Sequence, residues 1–125
     1  MKILAIDTAT NTCSVAVVDF SESHTFEKKR SPGTTLAEFT LVTRQTHSKH
    51  LMEMIPRVME TASLKISDLD GLAVAIGPGS FTGLRIGIST VKGLALASGK
   101  PVVGVSNLDA LASQFPFCSY LLCAL

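Results

Sequence analysis

The first part of the sequence alternates short apolar runs with polar segments. β-Branched, apolar runs at residues 2–6 and 14–18 flank the turn-rich segment DTATNT, and this pattern predicts a β-hairpin. The polar stretch at residues 21–35 contains the charge run EKKR and a Pro-Gly pair, which predicts an exposed loop. Apolar and polar residues alternate again over residues 36–43, so a third strand is predicted there.

The rest of the sequence alternates patterns typical of helices with patterns typical of buried strands. Apolar residues at helical spacing predict one helix over residues 47–62 and a second over residues 84–98, which Gly99 ends. Strands are predicted at residues 72–76, 101–105 and 119–125, and a short helix at residues 107–113 with Asn107 as its cap. Hairpin strands followed by βαβ units predict an α/β fold with a mixed sheet flanked by helices.

The last predicted strand runs to the final residue with no polar tail after it. This ending predicts that the natural protein continues and that residues 1–125 form its N-terminal domain. A length of 125 residues suits one domain with a single core.

Composition and charge exclude several classes of function. Eleven basic residues against ten acidic ones give a net charge of +1, so no broad attraction to nucleic acid or to an anionic membrane is expected. No apolar run reaches the roughly 18 residues needed to cross a bilayer. The N-terminal apolar run meets Asp7 too soon for a signal peptide, which predicts a cytoplasmic protein. The mean hydropathy of +0.39 predicts either a large core or an apolar surface that meets a partner.

The cysteines and histidines do not form a metal-binding pattern. Cys13, Cys118 and Cys123 form no CxxC pair and lie in apolar stretches, so they are interpreted as reduced core thiols. His47 and His50 are one helical turn apart, but the sequence places no third ligand beside them. No metal site is therefore predicted.

Residues 76–88, IGPGSFTGLRIGI, place four glycines and a proline between two apolar runs. A dinucleotide fingerprint requires a third glycine where this chain has Thr82, and a Walker A loop requires a lysine directly after Gly83. Both phosphate motifs therefore fail. What remains is a turn from a strand into a helix, and the free N–H groups of that helix could either bind an anion or be capped by Ser80 or Thr82.

The structural interpretation of this glycine loop is preferred. We predict that Gly77, Gly79 and Gly83 supply backbone freedom where the strand turns into the helix, with Ser80 in the same loop. Phe81 is predicted to point toward the protein rather than toward solvent.

A second candidate site lies in the hairpin turn. Asp7, Thr8 and Thr10 offer a carboxylate and two hydroxyls at a bend, which is chemistry that can hold Mg²⁺ and phosphate oxygens. The same residues also suit an ordinary Asx turn. Nucleotide binding at this turn is the second choice after a purely structural role.

The second helix is apolar on nearly every side, because Lys92 is its only charged residue between Ile86 and Ser98. Ile88, Val91 and Ala95 form the stripe predicted to face the sheet. The opposite stripe consists mainly of small residues that would let another helix approach closely. The predicted interface comprises Ile86, Thr90, Gly93 and Ala97 of this helix together with Leu51, Met52 and Met59 of the first helix.

Three segments carry a resemblance to a known family. The opening KILAIDTATNTCSVAVVD, the helix HSKHLMEMIP and the segment GPGSFTGLRIGISTVKGLALASGKPVVGVSNLDALA resemble the TsaB (YeaZ) family. Members of this family are partner subunits in the bacterial threonylcarbamoyladenosine modification of tRNA. The resemblance covers nearly the whole chain, and GPGSFTGLRIG is a highly specific string.

The resemblance implies an actin-like ATPase, ribonuclease H-like fold, in which two related domains face each other. Residues 1–125 match the first domain, and the second is absent from this chain. In catalytic relatives the hairpin turn binds ATP phosphates through a D-x-G-[ST] pattern, whereas this chain has Ala9 at the glycine position. The added Cβ weakens the nucleotide interpretation.

The resemblance also implies a non-catalytic role. The catalytic paralogue TsaD carries an H-x-x-x-H metal-binding pair after the strand that matches PVVGV, and this chain reads SNLDALA there. A scaffold subunit is expected, which forms a homodimer in isolation and supports TsaD, with the TsaE ATPase as a further partner, in the modification of adenosine 37. Contact with tRNA is expected to be indirect, no membrane is involved, and the chain is expected to carry no cofactor. Any ATP and Mg²⁺ of the assembled complex would be bound mainly by partner subunits.

An alternative function remains open. The chain could be an ATP-dependent enzyme of the actin-like and sugar kinase superfamily, such as a small-molecule kinase. Ala9 and the missing second domain speak against this alternative.

Overall fold

The computed structural model describes residues 1–21, 33–42 and 47–115. Most of the predicted loop at residues 21–35 and all of the predicted strand at residues 119–125 lie outside the described residues. The elements are β1 (Lys2–Asp7), β2 (Thr12–Asp19), β3 (Thr34–Val42), α1 (His47–Thr61), a 3-10 turn (Ile66–Asp68), β4 (Gly71–Ala75), α2 (Phe81–Ser98), β5 (Val102–Val105) and α3 (Asn107–Ala112).

The strands form one five-stranded sheet in the order β3-β2-β1-β4-β5. β1 pairs with β2, and β2 with β3, in antiparallel fashion, while β1–β4 and β4–β5 are parallel pairs. The predicted hairpin, third strand and mixed sheet are confirmed, as is the βαβ unit β4–α2–β5, whereas the unit that would end in the predicted strand at residues 119–125 lies outside the described residues. Each parallel connection carries a helix, because the chain must cross the sheet face to start the next parallel strand.

Both long helices contribute to a single core on one face of the sheet. α1 packs mainly on β2 and β3, whereas α2 packs on β4 and β1. Alternate side chains of the central strands point toward these helices, as the two-residue repeat of a strand dictates. The core includes Leu4, Ile6, Val15, Val17, Leu51, Val58, Leu72, Val74 and Val91.

The three residues of α2 that were predicted to face the sheet, Ile88, Val91 and Ala95, do pack toward the core. Val91 is fully buried, and Ile88 and Ala95 are partly buried against the core. The sequence pattern did not indicate that Gly83 and Gly87 complete the buried side. Gly99 ends the helix in the left-handed conformation with φ +68°, as predicted.

Two helix starts differ from the predicted ones. α2 begins at Phe81, three residues earlier than predicted, because the Ser80 hydroxyl accepts a hydrogen bond from the Gly83 N–H at 3.3 Å. The cap of α3 is Ser106 rather than Asn107, since its hydroxyl accepts from the Asp109 N–H at 3.4 Å. Asn107 is the first helical residue, and its side chain bonds to Gly77 and Asp7 instead of capping the helix.

Cys13 is a free, fully buried thiol, which confirms the prediction for this residue. Burial raises the pKa of the Cys13 thiol, and the negative charge of Asp7 raises it further. Cys118 and Cys123 lie outside the described residues. None of the helices in the described ranges is long and apolar enough to cross a membrane.

Candidate functional site

The hairpin turn and the glycine loop, which lie far apart in the sequence, are in direct contact. The Ser80 N–H donates a hydrogen bond to the Ala9 carbonyl at 2.6 Å. The Thr8 hydroxyl donates to the Gly83 carbonyl at 2.7 Å, and Thr8 is only 1% exposed. The β1–β2 turn therefore holds the first turn of α2.

The glycines permit this close approach. A Cβ added to Gly83 or Gly87 would collide with the Thr8 carbonyl or hydroxyl, and one added to Gly79 would lie 2.5 Å from the Ala9 carbonyl oxygen. Gly77 has a φ of +104°, a conformation that L residues rarely adopt. The sequence suggested backbone freedom as the reason for these glycines. In the structure, the requirement for glycine comes mostly from close contact with the hairpin turn.

Asp7 is bonded within the protein through both carboxylate oxygens. One oxygen accepts from the Ala9 N–H at 2.8 Å, which closes an Asx turn, and the other accepts from the Asn107 side-chain amide at 3.3 Å. The Asn107 carbonyl oxygen in turn accepts from the Gly77 N–H at 2.9 Å, in a buried position. Asp7 and Asn107 therefore join β1, the glycine loop and α3.

The sequence did not reveal this role of Asn107. An asparagine at a predicted helix start is adequately explained as a cap, and only the tertiary structure places it beside Gly77 and Asp7. A polar residue two positions after an apolar strand is the one sequence signal that could have pointed to it.

These bonds bear on the predicted nucleotide site. Asp7 and Thr8 already use their polar atoms inside the protein, and Thr10 lies at the exposed surface, with its hydroxyl 2.8 Å from that of Thr12. Within residues 1–21, 33–42 and 47–115, no group of three or more His, Cys, Asp or Glu side chains could hold a metal ion. Nucleotide binding at Asp7, Thr8 and Thr10 stays a prediction.

We predict that Asn107→Ala weakens the fold. The substitution leaves the buried Gly77 N–H without an acceptor, which costs about 1–3 kcal/mol. Urea unfolding of the variant measures this loss in the free energy of unfolding. Asn11→Ala is the matched control, because Asn11 is exposed in the hairpin turn and its removal should change stability by less than about 0.5 kcal/mol. Equal stability of Asn107→Ala and wild type would contradict the assigned role.

A second candidate site is the outer side of α1 and α2. Gly93 and Ala97 are exposed there, Ile86 and Thr90 are partly buried, and Met52 of α1 is 62% exposed. A Cβ on Gly93 would meet no atom within 4 Å, so this part of α2 faces open space. We call Met52, Ile86, Thr90, Gly93 and Ala97 the helix-pair surface.

Two residues of the predicted interface do not belong to this surface. Leu51 is fully buried, so its prediction as an interface position is wrong, whereas Met59 is 5% exposed and lines a hollow beside Met52, so its interface position stays a prediction. Both lie on the side of α1 that packs into the core, and the methionine pattern alone could not separate them from Met52.

The prediction that Phe81 points into the protein is also wrong, since its side chain is 73% exposed. Phe81 is the first residue of α2, and the buried side of that helix is occupied by Gly83, Gly87 and Val91. The Arg85 guanidinium carbon lies 5.3 Å from the centre of the Phe81 ring, which is a cation–π distance.

Two hollows accompany the helix-pair surface. One has a volume of about 390 Å³ and includes Ser48, Phe81, Ile86 and Thr90 in its lining. The other, about 290 Å³, is nearly all apolar. We call this second hollow the methionine pocket; its lining is Met52, Ile55, Pro56, Met59, Leu64, Lys65, Ile66 and Leu94.

Comparison with known proteins identifies relatives of the chain. Residues 35–119 match the model of the family described as TsaD, tRNA N6-adenosine threonylcarbamoyltransferase. The chain is 41% identical over 112 residues to the tRNA threonylcarbamoyladenosine biosynthesis protein TsaB of Escherichia coli. This alignment covers 90% of the chain but 43% of the relative, so the chain spans less than half of that protein.

Solved structures show the same fold. YeaZ from Pseudomonas aeruginosa superimposes with a TM-score of 0.73 and 33% identity, covering 91% of this chain and 47% of that one. The Thermus thermophilus RuvC structure is 18% identical to this chain, with a TM-score of 0.57. The match covers 86% of this chain and 65% of the RuvC chain, and at this identity it indicates a shared fold only. The described sheet and helices are thus of the ribonuclease H-like, actin-like ATPase type.

Proposed function

The chain belongs to the TsaB (YeaZ) family of TsaD-type proteins, and we propose that it is a non-catalytic scaffold in the threonylcarbamoyladenosine modification of tRNA. It binds the catalytic paralogue TsaD, and itself when TsaD is lacking, through the helix-pair surface. This function takes place in the cytoplasm. TsaE joins the same assembly, and tRNA is contacted mainly by the partner subunits.

The observation that carries this proposal is the uncovered apolar side of α1 and α2. Met52 of α1 is 62% exposed, Leu96 of α2 is 89% exposed, and a Cβ on Gly93 of α2 would meet no atom within 4 Å. Exposed apolar patches beside small residues are typical of surfaces that receive another protein. A specific association here is expected to bury more than about 1,000 Å² in total.

The chemistry of the described residues supports a non-catalytic role. Asp7 and Thr8, which would contact phosphate in an active relative, are bonded to Ala9, Asn107 and Gly83. Burial raises the pKa of the Cys13 thiol, which makes this thiol a poor nucleophile at neutral pH. Any ATP and Mg²⁺ that the assembled complex uses are bound mainly by the partner subunits.

Reconstitution tests this proposal. The chain is mixed with the TsaD-type transferase and the other pathway proteins of the same organism, and modified adenosine in tRNA is measured with and without it. We expect co-purification with the transferase and modification that depends on the chain. Failure of both would contradict the proposal.

The alternative of an ATP-dependent enzyme is tested with the chain alone in ATP and Mg²⁺. We expect no phosphate release above background. Release that follows the protein during purification and vanishes in Asp7→Ala would establish the enzymatic alternative instead. Circular dichroism of Asp7→Ala serves as the control, because loss of the Asp7 hydrogen bonds could also unfold the chain.

A further inference from the structure

The starting observation is the outer edge of the sheet at β3. This strand stands at one end of the strand order, and among the described residues it pairs with β2 alone. In an antiparallel pair, alternate residues direct their N–H and C=O groups away from the neighbouring strand. Within the described part of the chain, the outer side of β3 is therefore a row of backbone donors and acceptors with no strand beside it, which is a template for another strand.

β3 lacks the features that usually protect an edge strand. Thr34–Val42 contains no lysine and no proline, and Glu38 is its one charged residue. From residue 37 to residue 42 the register with β2 is regular, because the one register shift lies nearer the start of β3. Phe39 and Leu41 are 37% and 38% exposed in this regular part. The second half of β3 is thus able to continue the sheet.

α1 turns this edge into a groove. α2 packs on β4 and β1, and α1 packs on β2 and β3, so the side of α1 that faces away from α2 lies beside the edge strand. A hollow of about 210 Å³ separates them, and we call it the β3 groove. It is lined by residues 39–41 of β3 and by four residues of α1: His50, Glu53, Met54 and Arg57. With about 3.6 residues per turn, these four lie on the opposite side of α1 from Met52.

The floor of the β3 groove is apolar. Phe39 and Leu41 pair with two buried residues of β2, so their side chains point to the face of the sheet that α1 covers. Met54 of α1 is 8% exposed and completes the floor. A strand added to β3 would lie about 4.8 Å beyond it and would direct alternate side chains to this same face. Those side chains enter the groove, so they are expected to be apolar.

Charge distinguishes between possible added strands. The other side chains of an added strand would lie on the opposite face of the sheet, beside Glu38 and Thr40. The Glu38 carboxylate accepts a hydrogen bond from the Thr40 hydroxyl at 3.2 Å, and both residues are exposed. A cross-strand neighbour of opposite charge is favourable there. A second copy of β3 offers no basic residue, whereas a strand with lysine or arginine on that face complements Glu38.

We propose that the β3 groove binds an extended segment of another protein, in which apolar residues alternate with lysine or arginine. The segment extends the five-stranded sheet by one strand. Its backbone bonds to the outer side of β3, its apolar side chains enter the groove, and its basic side chains lie beside Glu38. The groove is on the opposite side of α1 from Met52 of the helix-pair surface. It is therefore an interaction surface beyond the proposed function, and both surfaces can be occupied at once.

A labelled peptide tests the pairing with β3. The probe is a short fluorescein-labelled peptide in which valine and lysine alternate, and fluorescence anisotropy measures its dissociation constant with the chain. Two further versions carry N-methyl groups on all valines or on all lysines. Because alternate N–H groups of a strand point to opposite sides, we expect one version to bind about tenfold more weakly or worse, and the other within about threefold of the unmethylated peptide. Equal binding of the two methylated versions, or no binding of the unmethylated peptide, would overturn the proposal.

Charge reversal tests the location. Glu38→Lys should weaken binding of the unmethylated peptide at least about fivefold, because it places a like charge beside the lysines. Asp109→Lys is the control, since it makes the same charge change in α3, which follows β5 at the opposite edge of the sheet, and should alter binding less than about twofold. Circular dichroism verifies that both variants fold. Equal effects of the two variants would place the peptide elsewhere and overturn the proposal.

Two further measurements separate this proposal from others. If Glu38→Lys changes self-association of the chain instead of peptide binding, a second copy occupies the groove and the proposal is wrong. Co-purification of Glu38→Lys with the TsaD-type transferase is expected to equal that of wild type. If the peptide fails to bind while wild type still co-purifies with the transferase, this proposal fails and the proposed function stands.

Discussion

Gly83→Ala is expected to lower the free energy of unfolding by about 3 kcal/mol and the melting temperature by roughly 10 °C. The added methyl group would overlap the Thr8 carbonyl oxygen, which belongs to backbone and cannot rotate away. Relief requires α2 to move off the hairpin turn, and this breaks the hydrogen bonds from Thr8 to Gly83 and from Ser80 to Ala9. The effect is large because three interactions are lost together: the contact of α2 with the hairpin turn, the Ser80 cap and the packing of α2 on the core.

Gly93→Ala is the matched control on the same helix. Gly93 is exposed in the helix interior, and a Cβ there meets no atom within 4 Å. Alanine should therefore raise the free energy of unfolding, by up to about 1 kcal/mol, because it favours the helix over the unfolded chain. Thermal and urea unfolding of both variants measures the contrast. If the two substitutions changed stability equally, the close contact between α2 and the hairpin turn would be refuted.

Gly93→Glu is expected to leave the fold intact and to weaken association more than 100-fold, or about 3 kcal/mol. Glutamate is a good helix former, and the open space beside Gly93 accommodates its side chain in the isolated chain. In the complex the carboxylate would be buried without a partner, and a twofold interface would bury two of them.

Circular dichroism and sedimentation separate the outcomes for this variant. Gln114→Glu adds the same charge at an exposed position outside the helix-pair surface and should associate like wild type. A Gly93→Glu variant that unfolds would place Gly93 inside the domain. A variant that is folded and still associates would remove α2 from the interface.

The order and type of the elements could be predicted because each has a strong local pattern. The two-residue alternation of β1 and β2, and the helical spacing of α1 and α2, follow from which side chains face the core. The parallel crossovers and the mixed sheet follow from that order.

The details of the site depend on contacts between distant segments, which no local pattern contains. The exposure of Phe81 follows from the way Thr8 fixes the start of α2, and Thr8 is more than 70 residues away. The burial of Leu51 and Met59 follows from the rotation of α1 on β2 and β3. The same pattern of methionines would fit a different rotation, in which other residues would be buried.

The hairpin turn and the helix-pair surface are connected through α2. Thr8 and Ala9 hold the first turn of α2 by two hydrogen bonds, and Asp7 fixes the turn itself. The hairpin turn therefore sets the placement of the helix that carries Phe81 and Gly93, and it supports the helix-pair surface from the other side of α2.

Sedimentation velocity tests the central claim, that the outer side of α1 and α2 receives a partner. Wild type and Gly93→Glu are each run alone and mixed with the TsaD-type transferase of the same organism. We expect wild type to sediment as a dimer alone and in a complex with the transferase, while Gly93→Glu remains a monomer of 13.2 kDa in both runs. A wild-type chain that stays monomeric at every concentration and does not sediment with the transferase would contradict it.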